Sequence, residues 1–258
     1  MRLSIIIPVL DEGERIAAAL DALVDLRVLG AEIIVVDGGS HDATIQRARL
    51  RADVVLQGPR PEAERMNAGA AKAAGDVLLF LRTDMQLPPL ADHLILDGLA
   101  RSDRVWGHFD ATLEGKNLLL PVAAWLTSVQ SRITGIATIE HGIFAKRDAF
   151  RTSGGFPTQP LLDDVELCVR LKRISKPLCI RQRVVSPGHR WETEGILHTL
   201  MTTWRLRLAY LFGADPEALA KRQEAAAAAK AAAAKTATDK AAAAAKAPSV
   251  SKDANAAQ

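Results

Sequence analysis

The chain has 258 residues, of which 48% are hydrophobic and 4% aromatic, and its formal net charge is +3. This length is ample for a large hydrophobic core, but apolar runs such as 118–126 are far shorter than the roughly 20 residues of a membrane-spanning helix. We therefore expect no membrane-spanning helix, and the acidic residues that follow the apolar run 3–10 argue against a secretory signal peptide.

Charge is distributed unevenly along the chain. Residues 1–169 carry 17 basic and 23 acidic side chains, a net charge of −6, whereas residues 170–222 carry 11 basic and 4 acidic side chains, a net charge of +7. Because the positive charge is confined to the C-terminal part, it does not predict a nucleic-acid partner. We expect one domain over 1–222, followed by an Ala/Lys-rich tail, 223–258, that is disordered or forms a frayed helix.

The first half of the chain alternates between two kinds of pattern. Apolar runs predict strands at 3–7, 32–36, 53–56 and 76–81. Helical spacing and capping residues predict helices at 12–26, 42–51 and 61–74. This alternation predicts an α/β fold with a mostly parallel central sheet flanked by helices.

The second half is less regular. Its patterns predict helices at 88–100, 117–130, 163–174 and 195–212, and strands at 104–113, 138–145 and 177–185. Cys168 and Cys179 have no nearby Cys or His partners, so we expect ordinary thiols rather than a disulfide or a zinc site.

The predicted helix 195–212 carries an apolar stripe at helical spacing. Its members are Leu197, Leu200, Met201, Trp204, Leu208 and Leu211. We favour packing of this stripe on the protein core, with the arginines of the helix directed toward the functional site. The alternative is that this helix, within the basic segment, lies on a membrane surface.

Acidic residues follow three strands of the predicted sheet. Glu12 follows the first strand, Asp37 the second and Asp84 the fourth. Ligands bind beyond the carboxyl ends of the strands in open α/β sheets, so we expect these acids to border one crevice. The glycine patterns of dinucleotide-binding folds and of P-loops are absent, so a nucleotide would have to be held in another way.

An ordered set of motifs resembles the family 2 glycosyltransferases of the GT-A fold, over about residues 3–222. The motifs are 4–12 (SIIIPVLDE), 32–44 (EIIVVDGGSHDAT), 67–69 (NAG), 75–81 (GDVLLFL), 154–156 (GGF), 163–167 (DDVEL) and 190–191 (RW). Within this family the chain looks most like the short bacterial transferases of arsenosugar- or selenium-associated gene neighbourhoods.

The resemblance implies an inverting transferase that moves a sugar from a nucleotide-diphosphate donor, a UDP-sugar, to an acceptor hydroxyl. Residues 1–100 would form the nucleotide-binding half and residues 101–222 the acceptor and catalytic half. By their match to the family motifs, the implied nucleotide-binding residues are Pro8, Glu12, Asp37, Arg65 and Arg82.

The resemblance also implies roles in the chemistry itself. Asp164 would be the general base, and Asp163, Arg190 and Trp191 would contact the diphosphate or the acceptor. Asp84 and His189 would hold Mg²⁺ or Mn²⁺. From the residues alone, Asp163 and Asp164 could instead cap a helix, and Trp191 could be a core aromatic residue.

Three stretches depart from the family pattern. In one of them Glu62 and Glu64 replace basic residues that are often found there, which bears on the grip on the diphosphate. Arg82 stands where the family's Asp-x-Asp metal motif has its first acid, and 139–141 (IEH) stands where the subgroup usually has Gly-Asp-Gln. Either Arg82 supplies part of the positive charge that a metal ion would give to the diphosphate, or the chain is a non-catalytic nucleotide-sugar-binding module. We expect a cytoplasmic protein whose acceptor is a small molecule or is lipid-linked, without a nucleic-acid partner.

Overall fold

A computed structural model describes residues 1–223 and 225, except for the side chains of Arg190 and Leu211. The prediction of a disordered tail or frayed helix therefore falls almost entirely outside the described residues.

Seven strands form a single sheet in the described part of the chain, in the order β3-β2-β1-β4-β6-β5-β7. The strands are β1 (Leu3–Val9), β2 (Glu32–Asp37), β3 (Val54–Gln57), β4 (Val77–Phe80), β5 (Trp106–Glu114), β6 (Phe144–Lys146) and β7 (Leu178–Pro187). Only β6 runs antiparallel to its two neighbours, β4 and β5. The predicted mostly parallel α/β sheet is confirmed.

Helices cover both faces of this sheet. They are α1 (Ile16–Asp21), α2 (Val24–Val28), α3 (Thr44–Arg49), α4 (Glu62–Lys72), α5 (Ala91–Ala100), α6 (Leu120–Thr134), α7 (Arg147–Thr152), α8 (Asp163–Lys172), α9 (His189–Glu194) and α10 (Ile196–Leu211), with a 3₁₀ turn at Ile139–His141. Residues of β1, β2 and β4 are buried along their whole length, because alternate side chains enter the apolar clusters on either face of the sheet.

The carboxyl ends of the central strands are in register. Val9 lies opposite Asp37 in the ladder between β1 and β2, and Ile6 lies opposite Phe80 in the ladder between β1 and β4. The segments that follow these strands therefore leave the sheet at one edge. Asp84 lines a cavity at this edge, whereas neither Glu12 nor Asp37 lines that cavity, so the prediction that the three acids border one crevice stays a prediction.

Some predicted elements are wrong. The predicted strand 138–145 is a 3₁₀ turn followed by the short strand β6, because Gly142 adopts a φ of +60° and interrupts the extended chain. The predicted helix 12–26 is divided into α1 and α2, because the Leu23 amide bonds the Leu20 carbonyl, which tightens the chain between them. Helices α7 and α9 were not predicted, since each has only six residues. Both cysteines are free, as expected.

The preferred packing of the α10 stripe on the core is also wrong. Leu197, Met201, Trp204 and Leu208 are between 38 and 69% exposed. The opposite face of α10, which includes Thr199 and Arg207, is the buried one. No helix in residues 1–223 has both the length and the apolar character needed to cross a bilayer.

Candidate active site

Three adjoining cavities lie at the edge where the central strands end, and Arg82 borders all of them. A cavity of 390 Å³ lies between the start of α8 and the buried face of α10. A second, of 330 Å³, extends from Asp163 and Asp164 toward the start of α4. The third, also of 330 Å³, contains Asp84 and His189. Volumes of this order suit small ligands.

The backbone before α8 aims two acids into these cavities. Gly154 and Gly155 have φ values of +81° and +69°, and Leu162, the residue that precedes α8, has a φ of +61°. A left-handed conformation is unfavourable for leucine, by about 1–2 kcal/mol. This conformation directs Asp163 and Asp164, the first two residues of α8, toward the cavity.

Asn67 fixes the loop that leads to these acids. Its side-chain amide donates to the Phe156 carbonyl at 2.8 Å, and its carbonyl oxygen accepts from the Phe156 amide at 2.9 Å. A Cβ at Gly155 would lie 2.6 Å from that oxygen, so only glycine fits there. The Asn67 and Gly154-Gly155-Phe156 motifs, 89 residues apart, therefore form one structural unit.

Asp164 is held by backbone amides. Its carboxylate accepts from the Ile139 amide at 3.1 Å and from the Val165 amide at 2.7 Å. Burial raises the pKa of Asp164, while Arg207 and the two amides partly oppose this rise. A carboxylate with a raised pKa is a stronger base than an ordinary one.

Asp163 differs from its neighbour. Burial and the adjacent Asp164 carboxylate raise the pKa of Asp163 to about 6. Two adjacent acids of unlike environment in one cavity are typical of acid–base sites. Both acids also lie in the first turn of α8, where a negative charge interacts favourably with the helix dipole.

Arg82 and Asp84 form an ion pair, with 2.9 Å between a guanidinium nitrogen and a carboxylate oxygen. Burial opposes the charge of Arg82, but Asp84 and Glu62 outweigh it and raise the pKa of the guanidinium. The pair lies beside His189 and Glu140 in the third cavity. The guanidinium charge of Arg82 is therefore balanced by Asp84 in this structure, and its contact with a diphosphate stays a prediction.

The donor set fits a divalent ion only with help from a substrate. No cluster of three or more His, Cys, Asp or Glu ligands occurs in the part of the chain that the structure describes. Asp84 and His189 nevertheless share one cavity. Mg²⁺ is commonly bound by one or two carboxylates together with substrate phosphates; here Asp84 offers a single carboxylate that is ion-paired with Arg82, so binding of an ion stays a prediction.

The residues predicted to bind the nucleoside surround the ends of β1 and β2. Pro8 is buried within β1, and the Glu12 amide donates to the Thr44 hydroxyl at 2.9 Å. Asp37 is fully buried, and its carboxylate accepts from the amides of Gly39 and Ser40 at 2.9 and 3.0 Å. The carboxylate of Asp37 thus shapes the loop that follows β2. Its contact with a nucleoside stays a prediction.

Arg65 lies next to that loop. It is buried, its Nη1 donates to the Arg60 carbonyl, and its Nε has no hydrogen-bond partner. Burial lowers the pKa of Arg65, while Glu62 and Asp37 oppose this. None of the three cavities is lined by Arg65, so its place on the diphosphate side stays a prediction.

Arg190 and Trp191 belong to α9. The Arg190 side chain lies outside the description, so its predicted contact with a diphosphate stays a prediction. Trp191 is 6% exposed and packs with Leu113, Leu120 and Ile196, while one side of it borders the 390 Å³ cavity. It is thus a core aromatic residue that also contributes to the cavity wall.

The sequence pointed only in part to the wall of the 390 Å³ cavity that α10 forms. It had singled out 139–141 (IEH), which includes His141, and had favoured arginines of helix 195–212 directed toward the functional site. This wall contains His141, Thr199, Thr203 and Arg207. One signal was available: Arg207 lies in an apolar helix without an acid three or four residues away. A buried arginine in that context needs a partner from elsewhere.

Comparisons with known proteins agree with this fold. The profile of glycosyl transferase family 2 matches residues 4–143. A search of curated proteins finds no match. Glucosyl-3-phosphoglycerate synthase from Mycobacterium tuberculosis, solved with Mn²⁺, UDP and glucosyl-3-phosphoglycerate, aligns with a TM-score of 0.56 and 20% identity over 80% of this chain and 79% of its own.

Two further structures have the same fold. The mannosyltransferase PcManGT from Pyrobaculum calidifontis, solved with GDP-Man and Mn²⁺, has a TM-score of 0.57 and 21% identity over 93% of this chain and 79% of its own. TarS 1–349 from S. aureus, solved with UDP-GlcNAc, has a TM-score of 0.58 and 18% identity over 72% of this chain and 58% of its own. At these identities the likeness shows the fold alone, and the predicted GT-A fold is confirmed.

Proposed function

The chain belongs to glycosyl transferase family 2, and from that premise we propose that it transfers a sugar from a UDP-sugar to an acceptor hydroxyl with inversion at the anomeric carbon. The observation that carries this proposal is the position of Asp164 in a cavity that Arg82 also borders. Support for a nucleotide-sugar donor comes from the similar proteins solved with UDP, UDP-GlcNAc and GDP-Man. The arsenosugar- or selenium-associated subgroup stays a prediction.

We assign the base to Asp164. Its carboxylate takes the proton of the acceptor hydroxyl while the hydroxyl oxygen forms a bond to the anomeric carbon. The bond from that carbon to the diphosphate oxygen breaks, and the nucleoside diphosphate leaves with the electron pair. Asp164 then releases the proton to solvent. Its raised pKa suits this work, because burial strengthens a carboxylate as a base.

The remaining residues bind the donor. Pro8, Glu12 and the loop shaped by Asp37 border the nucleoside, and Arg65, Arg82 and Arg190 offset the charge of the diphosphate. Asp84 and His189 are the residues that would hold Mg²⁺ or Mn²⁺. When bound, the ion would supply positive charge to the leaving diphosphate. Asp163 and Trp191 border the space between the diphosphate and the acceptor.

The test is donor turnover by the full chain with several nucleotide sugars and Mg²⁺ or Mn²⁺, comparing wild type with Asp164→Asn. General-base catalysis contributes typically 10²–10⁴-fold, so we expect a loss of at least about 100-fold. Asp163→Asn, one residue away, is the matched variant and should lose much less. Equal turnover by wild type and Asp164→Asn would remove Asp164 from the base role.

A second candidate function is nucleotide-sugar binding without catalysis. The ion pair between Arg82 and Asp84 favours it, because a guanidinium occupies the place of a metal-ligating acid. Calorimetry with UDP would then show binding that is independent of divalent ions, and no donor would turn over. A strong requirement for Mg²⁺ or Mn²⁺ in either binding or turnover would exclude this candidate.

We further propose that α6 and α10 place the protein on an anionic membrane surface. Trp125 and Trp204 are 55 and 38% exposed among other exposed apolar side chains of these helices. Neither segment 115–135 nor segment 195–213 carries an acidic residue, whereas Lys116 and Arg205 are exposed cations. Interfacial helices typically combine exposed aromatic and apolar residues with basic ones.

Flotation with vesicles tests this placement. We expect the chain to float with vesicles that contain phosphatidylglycerol at low salt and not with pure phosphatidylcholine. Trp204→Gln should weaken flotation, while Leu50→Gln, which alters an exposed leucine in the N-terminal half, should not. Absence of flotation at low salt would end the membrane proposal. The cytoplasmic location stays a prediction.

A further inference from the structure

The wall of the 390 Å³ cavity formed by α10 and the turn at Ile139–His141 contains polar atoms that lack partners. His141 Nε2, Thr199 Oγ1 and Arg207 Nε are all buried and have no hydrogen-bond partner. These residues are only 2, 5 and 6% exposed, and all three line the cavity. A buried polar group without a partner costs about 1–3 kcal/mol, so three in one wall call for an explanation.

Arg207 is the costliest of the three to bury, because it carries a charge. Its Nη1 donates at 2.6 Å to Oε1 of Gln130, which is a neutral amide and does not balance the charge. No carboxylate of the described residues lies within ion-pair distance of it. Asp164 and Glu140 attract it from farther away, and burial lowers the pKa of its guanidinium. A buried cation without a close counter-charge is costly, and an anionic group bound in the cavity would remove that cost.

The two other groups would complete the same pocket. His141 is neutral, because burial and the neighbouring His108 hold its pKa well below its ordinary value. Its Nδ1 lies 3.0 Å from the Thr138 hydroxyl, which leaves Nε2 for a ligand. The Thr199 hydroxyl can donate to an anion. The pocket thus offers one charged group and two neutral groups in the cavity that also contains the proposed base.

We propose that this wall is an acceptor subsite for a small hydroxy acid. The carboxylate or phosphate of the acceptor binds Arg207 and Thr199, with His141 beside them, and its hydroxyl faces Asp164. This inference rests on the proposed glycosyl transfer and adds the chemical class of the acceptor. The product is the glycoside of the hydroxy acid, and the anionic group itself takes no part in bond formation.

Calorimetry with two matched pairs of probes tests the subsite. Lactate is compared with propane-1,2-diol, and glycerol 3-phosphate with glycerol, on the full chain saturated with UDP and Mg²⁺. A charge-assisted hydrogen bond contributes about 1.5–3 kcal/mol, so at least one acid should bind roughly 10-fold or more tightly than its neutral partner. The pair with the larger ratio tells whether the site takes carboxylates or phosphates.

Three variants separate binding from folding. Thr199→Val removes an unpartnered hydroxyl, so the melting temperature should stay constant or rise while acid binding weakens several-fold. Arg207→Gln should abolish the preference for acids. Thr127→Val is the control, because Thr127 lines the same cavity but already donates to the Ala124 carbonyl at 2.9 Å. It should lower the melting temperature and keep the preference.

Several outcomes would overturn the subsite. They are equal binding of acids and neutral partners, no binding of either acid, or an acid preference that Arg207→Gln leaves intact. A repeat of the titrations without UDP completes the test: acid binding that appears there and is lost when UDP is present would assign Arg207 to the diphosphate and also overturn the subsite. Because these measurements need no turnover, they fail independently of the proposed function, which the Asp164→Asn comparison tests.

Discussion

The burial of polar and apolar side chains differs between two regions of the molecule, residues 1–100 and residues 101–223. In the first region, β1, β2 and β4 are buried along their whole length, and the loop after β2 is bonded by the carboxylate of Asp37. In the second, α6 and α10 expose large apolar residues while α10 turns Thr199 and Arg207 inward. The second region therefore departs from the usual rule of apolar groups inside and polar groups outside.

The buried polar atoms without partners show the same contrast. Two of them, in Arg65 and Asp92, belong to residues 1–100, whereas four, in Asp110, His141, Thr199 and Arg207, belong to the second region. Departures from local consistency are expected where a protein binds something. Three of the four in the second region, those of His141, Thr199 and Arg207, line the 390 Å³ cavity, whereas neither Arg65 nor Asp92 lines any of the three cavities.

The largest effect is expected where the two regions are joined. Asn67→Ala removes both hydrogen bonds to the Phe156 backbone and leaves that backbone partly buried without partners. We expect a loss of about 2–4 kcal/mol in the free energy of unfolding, measured by urea denaturation. Turnover should also fall, since the loop that carries Asp163 and Asp164 loses its anchor.

Asn117→Ala is the control for this coupling. The side chain of Asn117, in an exposed segment, accepts a local bond from the Leu119 amide. Its replacement should change the free energy of unfolding by less than about 1 kcal/mol. Equal destabilisation by the two variants would contradict the view that Asn67 joins the two regions.

The contrast between the regions also explains what the sequence could predict. Strand-end acids such as Asp37 and Asp84 follow buried runs, so their position depends on local pattern and on one rule for parallel sheets. The paired acids Asp163 and Asp164 were visible at a predicted helix start. These features need no knowledge of how distant segments pack.

The orientation of α10 depends on how distant segments pack. Helical spacing in 195–212 separates an apolar face from a polar one, but it does not tell which face turns inward when the inner side borders a cavity. The short strand β6 and the turn at Ile139–His141 depend likewise on Gly142 and on pairing with β4 and β5. Tertiary context decided these elements.

The second prediction concerns the charge of Asp163. Its pKa is raised from 3.8 to about 6, so the folded chain holds this proton at pH values where the unfolded chain has lost it. This stabilisation is complete below about pH 4 and is lost as the pH rises through 6. Asp163→Asn should therefore stabilise the protein by about 1–3 kcal/mol at pH 8 relative to wild type, with little difference at pH 4.

Urea denaturation at the two pH values measures this effect. Asp148→Asn, which alters an exposed acid of α7, is the control and should show no such pH dependence. A constant difference between Asp163→Asn and wild type from pH 4 to pH 8 would contradict the raised pKa. It would also contradict the idea that burial and the charge of Asp164 disfavour the ionised form of Asp163 at the start of α8.

The smallest expected effect compares one strained leucine from each region. Leu90 and Leu162 precede α5 and α8 with φ values of +57° and +61°. Leu90 is exposed, so Leu90→Asn should gain up to about 1 kcal/mol, because asparagine tolerates the left-handed conformation better. Leu162 packs against buried residues and borders the cavity, so Leu162→Asn should gain no stability.

Turnover separates these two positions further. Leu90 lies outside the three cavities, and its replacement should leave the transfer rate unchanged. Leu162 sets the direction in which Asp163 and Asp164 leave the loop, so its replacement should slow transfer several-fold even though the fold is kept. Equal turnover in both variants would contradict this role of Leu162. Its left-handed conformation would then affect only the local loop, as that of Leu90 does.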